Sequence, residues 1–310
     1  MSDYARGLLL GLVGVVAFGL TLPATRIAVA EFDPVAVGIG RSAVAAIIAA
    51  LILAGRRCPV PCRRHLPLIV VTAAGIVIGF PVLSAMAMKW APASHGGVVL
   101  AVLPLTTAIA AVALAGERPS AGFWLCAVAG TGLVGLFVFD DGNTELHLAD
   151  TLLVLAVISA SIGYTTGGML SRSLGGWQTI CWTLVASLPV TLPVTAWLLA
   201  DVNFGAGPAA WAAFAYVALV SQLFGFFAWN RAMVLAGVAH VGQLQLVQPF
   251  VTIAASVPLL GETVTWRMIA YAVLIAAIVG LGSRMRVARR APDPAPVAAG
   301  TPRSGPPPNR

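Results

Sequence analysis

The residues of this 310-residue chain that could do chemistry are sparse, and several recur at one spacing. Pro104 and Gly116-Glu117 return as Pro249 and Gly261-Glu262, His95 as His240, Gly97 as Gly242 and Thr107 as Thr252, each 145 positions on. Over residues 87–136 this shift gives 18 identities in 50 positions. Paired histidines and carboxylates are groups that can handle protons. They do not form a nucleophile-and-base set, however, since Gly-x-Ser-x-Gly and His-Glu-x-x-His are both missing from the sequence. Polar side chains gather unevenly: Gln245, Gln248 and Thr252 share one helical face at about 100° per residue, while the first copy has Leu100 and Leu103 at the glutamine positions. Arg41 stands about seven residues, or roughly 10 Å, inside an apolar stretch.

The elements that must position these groups are apolar and long. Charged residues are 9%, apolar residues 59% and mean hydropathy +0.94, where a soluble domain is about a quarter charged. A bilayer span needs ~20 mostly apolar residues. Ten stretches qualify, at roughly 7–28, 34–54, 67–88, 93–115, 120–139, 149–170, 177–200, 209–233, 238–260 and 264–283. The expectation is an all-α membrane protein of ten transmembrane helices, built as five-helix repeats over 7–139 and 149–283. Five is odd, so the second repeat enters the membrane inverted relative to the first.

With the amino terminus cytoplasmic, fourteen Arg residues fall on the inner side (Arg56, Arg57, Arg63 and Arg64 among them) and Arg26, Lys89 and Arg267 on the other. That is a positive-inside bias, so the net charge of +7 reports topology and not nucleic acid. Both termini are then cytoplasmic in a cytoplasmic (inner) membrane protein, with Asp140, Asp141, Glu145 and Asp150 in an acidic outer loop. The first segment resembles a leader, with Arg6 before an apolar run. It also pairs with the sixth stretch at an offset of 144 and is read as retained. Residues 291–310 hold seven prolines among small and polar residues, the composition of a disordered cytoplasmic tail. Cys58-Pro-Val-Pro-Cys62 lacks a second pair to complete a tetrahedral metal set, and no metal or cofactor is expected.

The Pro…Gly-Glu signature occurring twice across ten apolar stretches resembles the EamA-type transporters of the drug/metabolite transporter superfamily. Trp229-Asn-Arg-Ala232, Gln243-Leu-Gln-Leu-Val-Gln-Pro249 and Leu260-Gly-Glu262 carry the likeness in the second half, and Arg41 matches an arginine many members carry. The resemblance implies metabolite efflux or exchange of small metabolites, amino acids or drugs, with no ATP-hydrolysing domain. The seventh stretch has no arginine to match Arg41, so any role for that residue is asymmetric.

The expected function is a secondary transporter working by alternating access. An intramembrane enzyme and a non-transporting scaffold are the rival classes. Candidate pathway residues are Arg41, His95, His240, Gln245, Gln248 and Thr252; Glu117, Glu262, Pro104 and Pro249 are candidate gating or helix-end residues. Arg41 could snorkel outward, pair with Glu31 or Asp33, or hold an anionic group. Gly116 and Gly261 suit left-handed helix ends, and each following Glu would face the positive end of the next helix. Pro104 and Pro249 are expected deep in helices, freeing a carbonyl one turn back. Thr21, Thr165 and Thr166 are further candidates for polar lining. The expected partners are a small-molecule substrate and the lipid bilayer, with a proton as the candidate coupling ion; the oligomeric state is not legible.

Overall fold

The computed structural model describes residues 2–115, 117–139, 144–236, 241, 244–285 and 287–289. His240, Gly116, Gly242 and the 291–310 tail lie outside the described residues, and of Glu117 only the backbone is described. Among the described residues, six helices are long and apolar enough to cross a bilayer: Asp3–Val29, Pro34–Gly55, Arg63–Ala87, Leu148–Leu174, Gly176–Asp201 and Pro208–Ala236. Ala93–Leu100 and Leu103–Leu114, bent by 40°, make a seventh if counted as one span. Ala121–Phe137, Gln245–Leu260 and Trp266–Gly282 are shorter apolar helices.

Helix ends follow local chemistry. Asp33 accepts from the Val35 and Ala36 amides at 2.8 and 3.0 Å, with Pro34 in the first turn. Thr265 caps the last helix through the Met268 amide. Gly261 takes the left-handed C-terminal position at φ 66° and donates to Ser256 and Val257 carbonyls. The outward faces are apolar, including Leu51, Leu125, Val128, Trp197 and Trp266. That suits a hydrocarbon solvent, in which backbone groups must be satisfied within helices.

Small residues set the closest approaches. A Cβ on Gly7 would stand 2.7 Å from Ala236 Cβ, and one on Gly75 would stand 2.8 Å from Gly163 Cα. These helices pack backbone to backbone, as small-residue motifs allow where lipid offers no hydrophobic drive. Hydroxyl pairs tie others: Thr21 to Ser221 at 2.7 Å and Thr72 to Thr166 at 2.8 Å. Thr165 donates to the Thr107 carbonyl at 3.1 Å. Thr21, Thr165 and Thr166 are thus spent between helices and do not line the cavity described below.

Helical geometry departs from α at matching places in the two halves. Ala73–Gly79 and Tyr216–Phe224 are π-helical, and adding 145 to the first range gives 218–224, inside the second. Bonds of the i→i+5 type widen the helix there, a feature frequent at functional sites.

Candidate functional site

Four helical segments meet where the two halves cross. Pro104 and Pro249 do not sit deep in continuous helices, as their sequence context suggests. Pro104 is the second residue of Leu103–Ala115, which restarts after a turn, and Pro249 the second of the α-helical stretch Gln248–Leu260, which follows a 3-10 turn over Gln245–Val247. The reason is local: in a first turn the missing N–H costs nothing, because no carbonyl waits for it.

Between these segments lies a small cavity, room for about one water molecule, lined by Gly97, Leu100, Leu103, Pro104, Gln245, Gln248, Pro249 and Thr252. Six of the eight are repeat equivalents at the 145 offset: Leu100 with Gln245, Leu103 with Gln248, Pro104 with Pro249. The same position in the two halves therefore presents an apolar wall on one side and an amide wall on the other. Among the described residues no side chain or backbone group holds either glutamine amide. Thr252 is fixed by the Gly19 carbonyl at 2.7 Å. Gly97 permits the crossing, since a Cβ there would lie 3.0 Å from Thr252 Cγ2.

His95 is on the same helix as Gly97 but looks elsewhere. Its Nε2 donates to Asp150 Oδ1 at 2.6 Å, both side chains almost fully buried, and Phe137 stacks on the ring at 4.7 Å. Asp150 is therefore not part of an acidic outer loop. It lies in the helix Thr144–Leu174, 1% exposed, with Oδ2 lacking a partner. Three acids just upstream disguise it in sequence; the apolar run Leu152–Val157 directly after it was the available signal.

Glu262 also departs from its sequence expectation. Its carboxylate does not serve the following helix, which Thr265 caps. It accepts from the Ala93 amide at 2.7 Å, the Ser94 amide at 2.9 Å and the Ser94 hydroxyl at 2.6 Å. Glu262 thus caps a helix of the other half, 169 residues away. Arg26 Nε stands 3.6 Å from it, while Arg26 Nη1 donates to the Met88 and Ala91 carbonyls. Arg26 itself lies in the helix Thr21–Val29 and not in a loop.

Arg41 does not line this cavity. It is 2% exposed and donates from Nη2 to Gln222 Oε1 at 2.9 Å. Gln222 Nε2 in turn donates to the Ile76 carbonyl at 3.1 Å, so the Arg41–Gln222 pair joins both π-helical segments. Sequence reasoning missed Gln222, the one amide of the apolar segment Tyr216–Phe224.

The profile of the EamA-like transporter family matches residues 5–139 and again 147–283. The chain belongs to the EamA-like transporter family. It is 39% identical over 93% of its length to all of "Uncharacterized transporter YdeK" of Bacillus subtilis (strain 168). It is 26% identical over 78% of its length to 82% of a "Probable terminal-alkyne amino-acid exporter" of Streptantibioticus cattleyicolor. A solved crystal structure superposes with TM-score 0.61 at 14% identity, covering 91% of this chain and 99% of that one, a likeness of fold alone. The EamA family and both relatives are named as transporters and not as enzymes, so the chain is a multi-pass membrane transporter.

Proposed function

We propose that this EamA protein is a secondary transporter that exports or exchanges a small metabolite, of the amino-acid class, across the cytoplasmic membrane by alternating access. In this reading ten spans form two inverted five-helix repeats with both termini cytoplasmic. The observation that carries it is the cavity whose walls are repeat equivalents, with two amides that no described residue engages opposite two leucines. A solute bound there lies on the axis relating the repeats, and rocking one repeat against the other exposes it to each side in turn. With room for about one water, the cavity describes a closed state that must open to admit a solute.

Cross-links at the two ends support the topology. Glu262 with Arg26 and Ser94, His95 with Asp150, and Glu31 with the Gly207 amide at 2.7 Å join residues that the inverted arrangement puts outside. Glu117–Pro119 pairs antiparallel with Val287–Arg289, joining residues that it puts inside. The Glu262 contacts bridge the two halves at the outer end and act as a latch when that end is shut. Amino-acid chemistry is favoured by the name of the Streptantibioticus relative. The test is uptake of a panel of labelled L-amino acids and their N-acetyl derivatives by liposomes holding the purified protein. Movement without ATP, driven by a proton or counter-solute gradient, is expected; strict ATP dependence or no flux of any solute overturns the reading.

A further inference from the structure

Arg41 is the only lysine or arginine among the described residues to be buried. Of its three nitrogens, Nη2 bonds Gln222 while Nε and Nη1 have no partner. The acids near it in sequence are occupied: Glu31 accepts from the Gly207 amide, and Asp33 caps its own helix. Snorkelling is excluded by the 2% exposure. A guanidinium taken out of water without a counter-ion carries a large desolvation penalty, and unmatched buried N–H groups add to it. A fold that needed only a tie between the helices Pro34–Gly55 and Pro208–Ala236 would gain nothing by burying a cation for it.

The surroundings orient the charge and do not neutralise it. Gln222 is pinned from its other end by the Ile76 carbonyl, so its oxygen points at Arg41. The Tyr164 phenol is within electrostatic reach. Each π-helical segment contributes one of these fixed groups, and the segments recur in both repeats, while Arg41 has Ala186 at its repeat-equivalent position. One directional cation oriented by a pinned amide is a recognition group for a small planar anion.

We infer that Arg41, oriented by Gln222, binds a single carboxylate of the transported solute. The inference rests on the transport reading and narrows it to monocarboxylates, amino acids included. One carboxylate balances one guanidinium, whereas a phosphate at about −1.5 to −2 leaves net negative charge buried. Arginine also offers the planar fork that a carboxylate matches.

The test uses the detergent-purified full chain and four probes at equal concentration: L-leucine, 4-methylpentanoate, L-leucinamide and inorganic phosphate. Both carboxylates are expected to raise the unfolding midpoint and leucinamide to leave it unchanged. Arg41→Gln should abolish the shift, and Arg41→Lys should weaken half-saturation at least tenfold. Equal shifts with leucine and leucinamide, no shift with either carboxylate, or a shift with phosphate alone overturns the proposal. These contrasts are made in the unaltered protein, so they hold even if Arg41→Gln does not fold. Solute flux in liposomes separates the two readings: flux unchanged in Arg41→Gln removes the carboxylate site and leaves the transporter standing.

Discussion

Glu262→Ala removes one carboxylate that serves two backbone amides and a hydroxyl at 2.6–2.9 Å and faces Arg26 at 3.6 Å. Losing a cap costs ~0.5–2 kcal/mol. Breaking a fully buried ion pair costs ~3–5 kcal/mol, but the Arg26 side chain is 31% exposed, so solvent screens much of that. The sum is about 2–4 kcal/mol. Glu262→Gln keeps an oxygen for the amides and loses the charge, for about 1–2 kcal/mol. The assay is reversible unfolding of the purified protein in mixed micelles, with Arg26→Gln closing a double-mutant cycle expected to show ~0.5–3 kcal/mol of coupling. A Glu262→Ala protein within ~0.5 kcal/mol of wild type would refute the capping argument. The same substitution loosens the outer latch, so Ser94→Cys should label faster with a thiol reagent in the Glu262→Ala background.

Gln245→Leu and Gln248→Leu copy the first repeat, so both proteins should insert normally while solute flux drops at least tenfold; wild-type flux in both would reduce the amides to packing groups. Asp150→Ala removes the acceptor of the buried His95 Nε2–H and should destabilise by ~1–3 kcal/mol, with His95→Ala/Asp150→Ala costing less than the sum of the singles in the same unfolding assay. Gly97→Leu drives side-chain atoms into Thr252 and should abolish flux or folding, whereas Gly135→Leu, with no atom within 4 Å of where its Cβ would stand, should do neither. Cys62, exposed on the loop after the second span, should resist an impermeant thiol reagent in intact cells and react once they are permeabilised; labelling from outside reverses the orientation.

Composition was enough to read an all-helical membrane protein, because ~20-residue apolar runs have no other stable use at this density. The Gly261 helix end and the shared face of Gln245, Gln248 and Thr252 were legible too, since both depend on local spacing. Partners far apart in the chain were not. Nothing in the sequence links Glu262 to Ser94 or His95 to Asp150, and Asp150 sits among loop-like acids. The π-helical turns leave no mark in residue type, so Gln222 gave no sign that it meets Arg41. Ala93–Leu100 and Leu103–Leu114 are each too short to read as a span alone, because the helix breaks just before Pro104.

Alternating exposure of the repeat-crossing cavity is tested most directly by placing a single thiol in it. In a background with the four native cysteines replaced, Gln248→Cys should react with a membrane-impermeant maleimide in right-side-out vesicles and also in inverted ones, while a thiol at fully buried Leu153 reacts in neither. Labelling of Gln248→Cys from one side only, or from neither, would contradict a pathway that opens in turn to both.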